Sequence, residues 1–278
     1  MLEAGGVKVG PYETGRVYQG DCLELMKAIP DSSIPMIWTD PPYGANQNDG
    51  DLANRWEEVF AGQKMGKSRE PDFARPIHND GAEDMERVIR GMLTEAGRIL
   101  NRDCCCCCCC CSGGGGPTPI FARVALWLDE APLEFFHAVV WDKGGLGLGM
   151  RYRRNYEFVM VAKRRGGKLL WAYEGSDMKT ANVARIPKII PQKNDHPTPK
   201  PPELVRHFLE LHTKPGDLVL DPFAGAGTTG VACAQMGREF LGFELDPHWV
   251  EVGNERISAA ARGLKVGELR AGQATFGW

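Results

Sequence analysis

No stretch of this 278-residue sequence approaches the ~18 uncharged apolar positions that a membrane-spanning helix needs. The opening residues, Met1-Leu2-Glu3-Ala4-Gly5-Gly6, also lack the basic and apolar regions of a secretory signal. Both absences point to a soluble, cytoplasmic chain. An excess of positive charge is missing too, because 33 Lys and Arg stand against 36 Asp and Glu, a formal net charge of −3. That sum gives no support for binding a polyanion, yet it is clustered charge that makes a cationic cleft. One cluster exists: Arg151, Arg153, Arg154, Lys163, Arg164, Arg165 and Lys168, interleaved with Tyr152 and Tyr156. A solvated strand-and-turn edge would produce the same pattern.

Spaced cysteines are lacking. The chain has 10, but all except Cys22 and Cys233 fall in one unbroken run, Cys104 to Cys111. A disulfide framework separates its cysteines, so a reducing compartment fits better. Same-face residues of a strand stand about 6.6 Å apart, which disfavours gathering sulfurs around a zinc with bonds of about 2.3 Å. The run is read as a buried strand of small hydrophobes, and no metal is assigned.

What is present is alternation. Val17 to Gln19, Ile34 to Trp38, the cysteine run, Phe135 to Trp141, Tyr156 to Ala162, Leu218 to Asp221 and Glu239 to Glu244 read as strands. Helical spacing marks a stretch ending near Ile29, then Met85 to Leu100, Phe121 to Leu128, Glu203 to His212, Thr228 to Met236, and the chain from Pro247. Such alternation predicts an α/β fold: a doubly wound, mainly parallel Rossmann-like sheet with helices on both faces. One domain spans 1–278, in halves of about 14–165 and 195–263. Residues 44–81 lose periodicity, too long a stretch for an idle connection. Gly144 to Gly149 forms a flexible loop that matches no phosphate motif.

Two motifs carry chemistry. Asp221-Pro222-Phe223-Ala224-Gly225-Ala226-Gly227-Thr228-Thr229-Gly230 joins a strand to a helix and satisfies G-x-G-x-x-G, with Glu244 about twenty residues on. Glycines let backbone approach a ligand, and an acid at the next strand tip can accept two ribose hydroxyls. NAD and S-adenosylmethionine both present adenosine, so this motif alone leaves both open. ATP held through a P-loop is disfavoured by the lack of a Lys-Ser or Lys-Thr pair after the glycines. The second motif, Asp40-Pro41-Pro42-Tyr43, ends a strand with a carboxylate, a proline-stiffened turn and an aromatic plate. Asp40 and the Pro41 carbonyl can accept hydrogen bonds from an aromatic amine, localising its lone pair, while Tyr43 stacks on the ring.

With these motifs the chain resembles the amino-methylating DNA methyltransferases of the N-4/N-6 family, in the permuted subgroup whose catalytic half precedes the cofactor loop. Matching segments are Gly20 to Glu24, Asp40 to Tyr43, Trp141-Asp142-Lys143, Tyr156-Glu157, His196 to Pro201, Asp221 to Thr229 and Glu244-Leu245-Asp246. The resemblance implies a class I methyltransferase fold and methyl transfer from S-adenosylmethionine to the N6 amine of adenine in double-stranded DNA. It implies a catalytic role for Asp40, Pro41, Pro42 and Tyr43. Cofactor contacts would come from Asp21, Thr198, Lys200, Asp221, Phe223, Ala224, Gly225, Gly227, Thr228, Thr229, Glu244 and Asp246, with Lys200 readable equally as an exposed linker lysine. Residues 44–81 and 151–190, including Arg151, Arg153 and Arg154, are the candidate DNA-recognition elements.

Cytosine N4 methylation is the alternative, since Asp-Pro-Pro-Tyr and its Ser counterpart divide the two bases imperfectly. An NAD-linked dehydrogenase would leave Asp40 to Tyr43 idle. A protein-glutamine methyltransferase would carry its cofactor loop before the clamp. The enzyme is expected as a monomer or homodimer, with a restriction endonuclease partner or as an orphan.

Overall fold

Runs of Val, Ile and aromatic residues alternate with helices, and the computed structural model, which describes residues 6–42, 82–110, 120–145, 155–175, 180–189 and 200–270, assembles them around one sheet. A hairpin of β1 (Lys8–Val9) and β2 (Tyr12–Glu13) precedes β3 (Arg16–Gln19), α1 (Cys22–Met26) and β4 (Ile34–Thr39). Then come α2 (Ala82–Ile99), β5 (Leu100–Cys110), α3 (Ile120–Glu130), β6 (Leu133–Asp142), β7 (Tyr156–Arg164), β8 (Lys168–Leu169) and β9 (Val183–Arg185). The last part is α4 (Pro202–His212), β10 (Leu218–Asp221), α5 (Thr228–Met236), β11 (Glu239–Glu244), α6 (Pro247–Ala261) and α7 (Val266–Arg270).

The strand order is β3-β11-β10-β4-β5-β7-β6-β9, with β8 paired to β5. Neighbours from β3 to β5 run parallel, and β7 alone is antiparallel to both of its neighbours. The expected doubly wound, mainly parallel sheet is therefore present. From β4 the chain continues outward to β5, and from β10 it continues outward to β11 on the other side. The crevice between β4 and β10 is thus a topological switch point, where ligands of open α/β sheets bind.

Period-two alternation divides the core into two layers. Cys104, Cys106 and Cys108 face α2 and α3, packing with Met92, Leu93, Ile99, Val124 and Leu128. Cys105 and Cys107 face α4 to α6, packing with Trp38, Leu204, Phe208, Cys233 and Ile257. Cys104 to Cys108 are fully buried, as expected of a central strand made from small hydrophobes. One expectation is corrected here: the Cys105 and Cys107 sulfurs lie 3.1 Å apart. Backbone spacing separates same-face Cα atoms, but side-chain rotation brings the sulfurs together.

Other differences have local causes. The helix expected to reach Ile29 ends at Met26, because Ala28 and Ile29 donate to carbonyls three residues back and Pro30 disfavours helix before it. The short strands β1, β2, β8 and β9 have two or three residues each, too few for a readable period. Among the described residues no helix is long and apolar enough to cross a membrane.

The Cys106 thiol, fully enclosed and pushed well up by burial, stays protonated. Cys106→Ser should therefore lower unfolding free energy by about 1–3 kcal/mol more than Cys106→Ala, since the hydroxyl gains no partner. Urea unfolding of the two variants tests this, and equal midpoints would contradict the hydrophobic reading of the strand.

Candidate active site

Four adjacent parallel strands end on acidic residues. Asp21 follows β3, Glu244 closes β11, Asp221 closes β10, and Asp40 follows β4. The pairings Glu244↔Gln19, Asp221↔Gly242 and Leu220↔Ile37 put these ends on one edge of the sheet. With strands about 4.8 Å apart, the row spans about 15 Å. The two sequence motifs thus share one crevice. Asp21 begins α1 by accepting from the Leu23 N–H at 2.9 Å.

The loop after β10 is held by its own hydrogen bonds. Asp221 accepts from the Phe223 N–H at 3.1 Å and from the Thr229 hydroxyl at 2.5 Å. The N–H groups of Ala224 and Gly227 donate to the Phe243 and Ala224 carbonyls, at 2.9 and 2.8 Å. Glu244 accepts from the Gly225 N–H through one oxygen and the Asp246 N–H through the other, each at 2.9 Å. Gly227 caps α5 with a φ of 73°, and a Cβ there would lie 2.9 Å from Gly253 Cα. Glycine at 227 is therefore required by close packing against α6 as well as by backbone conformation. The next residue, Thr228, opens α5 half-buried.

Two assignments narrow. Thr229 is buried with its hydroxyl on Asp221 and so positions that carboxyl. Asp246 is buried and caps α6 by accepting from the His248 N–H at 2.8 Å. The edge is left acidic. Burial pushes Asp221 up to about 7, aided by nearby Asp40 and opposed by its bonds to Thr229 and Phe223. Glu244 is also raised by burial, against the pull of its backbone donors.

Asp40 sits in a charge chain. Its Oδ2 lies 2.9 Å from the Lys200 ammonium, which is also 3.4 Å from Glu157. Glu157 pairs in turn with Lys143, whose ammonium stands 5.2 Å from the centre of the Trp141 ring. The other oxygen of Asp40, Oδ1, is buried without a hydrogen-bond partner among the described residues. Burial raises the Asp40 carboxyl to about 6; Lys200 pulls it down and Glu157 pushes it up. Lys200 is no exposed linker lysine, as its side chain is only 10% exposed.

Lys143 and Glu157 belong to segments that carried the resemblance but had been given no role. A signal was available for Glu157, which shares the inward face of β7 with Val159 and Val161. A carboxylate on such a face requires a charged partner.

Tyr43, Thr198, Arg151, Arg153, Arg154 and the segment 44–81 lie outside the described residues. The basic segment proper is corrected in part. Lys163 binds Glu134 at 2.7 Å, Arg164 donates to the Leu100 carbonyl at 3.0 Å, and Arg165 donates to the Asp129 carbonyl at 2.6 Å. Because β7 runs antiparallel to β5, these residues stand at the end of the sheet away from Asp40, roughly 23–30 Å along the strand from Tyr156. They fasten the fold.

Asp221 supplies a pH test. Its folded carboxyl is raised to about 7 from an ordinary 3.8, so between those values the native state holds a proton that the unfolded chain has lost. Its contribution to stability consequently falls as pH rises. The stability of Asp221→Asn relative to the unsubstituted protein should improve steadily from about pH 4 to 7. A pH-independent difference in urea midpoints would mean that Asp221 ionises normally.

A family profile described as DNA methylase, of the N6/N4 methyltransferases, matches residues 34–255. The DNA adenine methyltransferase YhdJ of Escherichia coli strain K12 is 23% identical over 259 residues, covering 90% of this chain and 84% of its own. The type II methyltransferase M.HinfI of Haemophilus influenzae is 25% identical over 261 residues, covering 87% of this chain and 67% of its own. Among solved structures, the M1.HpyAVI–SAM complex superposes with a TM-score of 0.60 at 20% identity, covering 87% of this chain and 98% of that one.

Proposed function

The chain belongs to the N6/N4 DNA methylase family, and from that premise we propose that it methylates the N6 amine of adenine in double-stranded DNA, using S-adenosylmethionine. One observation carries the reading. A half-buried carboxylate whose enclosed oxygen, Asp40 Oδ1, is a spare acceptor stands on the same sheet edge as the acidic row of Asp21, Asp221 and Glu244. That row suits a cationic donor. It would repel a pyrophosphate, and the N–H groups of Phe223, Ala224, Gly225 and Gly227 are already engaged within the protein. A dinucleotide site needs such donors for its phosphates. The name of the relative YhdJ supports adenine.

S-adenosylmethionine supplies a methyl group made electrophilic by its sulfonium. Glu244 retains lone pairs for the ribose hydroxyls beside its two backbone donors, and Asp21 serves the adenine amine. Asp221 and Phe223 would border its methionine part beside the backbone of Ala224, Gly225, Gly227 and Thr228, and Thr198 and Lys200 would serve its amino-acid end. The target amine donates to Asp40 Oδ1 and to the Pro41 carbonyl, while the Pro41-Pro42 corner fixes both acceptors. Tyr43 stacks on the extruded base, offsetting part of its unstacking cost. Asp40 stabilises positive charge developing on the nitrogen and, held near 6, can take the proton shed there. Lys200 and Glu157 keep that carboxylate oriented.

DNA recognition falls to residues 44–81 and the Arg151, Arg153, Arg154 stretch. The enzyme works in the cytoplasm as a monomer or homodimer, beside a restriction endonuclease or as an orphan.

Asp40→Ala should reduce N6-methyladenine formation, read by mass spectrometry of digested DNA, by ~10²-fold or more while leaving S-adenosylmethionine affinity within about twofold. Glu244→Ala should weaken that affinity by ~10-fold or more. Near-normal turnover in the first or an unchanged dissociation constant in the second contradicts the assigned role, and N4-methylcytosine in the digest contradicts the base.

The ionised Asp40 is the competent acceptor, so kcat/KM should fall as pH drops through about 6. Lys200→Gln removes the charge that pulls Asp40 down, and should move this acid limb to higher pH. A limb that stays in place would show that Lys200 does not act through Asp40.

A further inference from the structure

The methylation chemistry leaves one cluster unused. Cys105 and Cys107, on the face of β5 that meets α4, bring their sulfurs to 3.1 Å from one another. His212, the last residue of α4, completes a group whose ligand atoms all lie within 4.8 Å of one another, every member buried. The imidazole is fixed from behind. Its Nδ1 lies 2.7 Å from the Leu170 carbonyl, which can only accept, so Nδ1 carries the proton and the lone pair sits on Nε2. Metal-binding histidines are oriented in this way by a carbonyl on their other nitrogen. Trp171 meets the ring edge-on at 5.3 Å and Phe208 stacks at 6.4 Å, enclosing the site in apolar surface.

We propose that Cys105, Cys107 and His212 form a binding site for zinc, tying the last turn of α4 to the central strand. Two thiolates and a neutral imidazole balance a divalent cation, which matters in a core that tolerates no uncompensated charge. Thiolate and imidazole are the donors that a borderline-soft cation selects. Two sulfurs on a tetrahedral zinc stand about 3.8 Å apart, so the pair must open by well under 1 Å. Binding breaks two S–H bonds, forms two Zn–S bonds and releases two protons to solvent. A solvent molecule fills the fourth position. Cys105 and Cys107 share a core layer with Ala224 of the glycine loop, but none of the three ligands has a part in methyl transfer, and the proposal does not depend on the methyltransferase reading.

The full chain, stripped with chelator and reloaded with zinc, should retain about one equivalent after gel filtration, measured by elemental analysis. X-ray absorption of that sample should show two sulfurs at about 2.3 Å and one nitrogen at about 2.0 Å. A shell of three or four sulfurs would assign the metal to neighbouring cysteines and overturn the proposal. So would failure to retain zinc, or loss of two titratable thiols in denaturant, which would mark a disulfide. Cys105→Ala/Cys107→Ala should lose the metal, whereas Cys104→Ala/Cys106→Ala, altering the opposite face, should keep it. Should the first variant fail to fold, the absorption spectrum of the unsubstituted protein decides alone.

Discussion

A carboxylate forced into a buried, proline-stiffened corner must be either neutralised or paired, and the pairing of Asp40 with Lys200 is what the rest of the site is arranged around. Burial is the largest influence raising this carboxyl and Lys200 the largest in the other direction, leaving it at about 6. Because Lys200 sits between two carboxylates, a second cation is needed, and Lys143 supplies it by pairing with Glu157. Two acids and two bases thus close a neutral chain running from β4 to β7, with one acceptor, Asp40 Oδ1, left over. Breaking such a chain at one member leaves an uncompensated buried charge, typically a loss of about 3–5 kcal/mol. The leftover oxygen is where an amine can donate, so stability and chemistry draw on the same four side chains.

The sheet determines why this corner meets the cofactor loop. Parallel strands place all their carboxyl ends on one edge, and the outward windings from β4 and β10 leave a crevice between them. Asp40 and Asp221 flank that crevice closely enough for the charge of Asp40 to disfavour ionisation of Asp221. Glu244 lies one strand further out. An edge with so many carboxylates is costly for an anionic ligand and favourable for a cationic one. The glycine loop, despite matching a dinucleotide pattern, devotes four of its N–H groups to internal bonds.

Much of the architecture was legible in the sequence because its elements are long and periodic. The strand Leu218–Asp221, the helix Thr228–Met236 and the strand Glu239–Glu244 fall where the pattern sets them. Short strands such as Lys168–Leu169 were not legible, since two residues have no period. The site was half visible. Asp40, Asp221 and Glu244 could be named from motifs, but the partners of Lys200 come from β4 and β7, which stand on either side of β5, an arrangement that residue spacing does not encode. The same limit applies to Cys105 and Cys107: strand geometry describes backbones, whereas the contact is made by side-chain rotation. The charge cluster was ambiguous for a similar reason. Lys163, Arg164 and Arg165 fitted either a cationic cleft or a strand-and-turn edge, and each is bound to the chain's own carbonyls or carboxylates.

The most direct test is a crystal structure of the protein with a non-reactive S-adenosylmethionine analogue and a duplex carrying the substrate base. The account predicts the ribose hydroxyls on Glu244, the target amine within hydrogen-bond distance of Asp40 Oδ1, and Lys200 still on Oδ2. An analogue seated away from Glu244, or an extruded base whose amine meets groups other than Asp40, would contradict it.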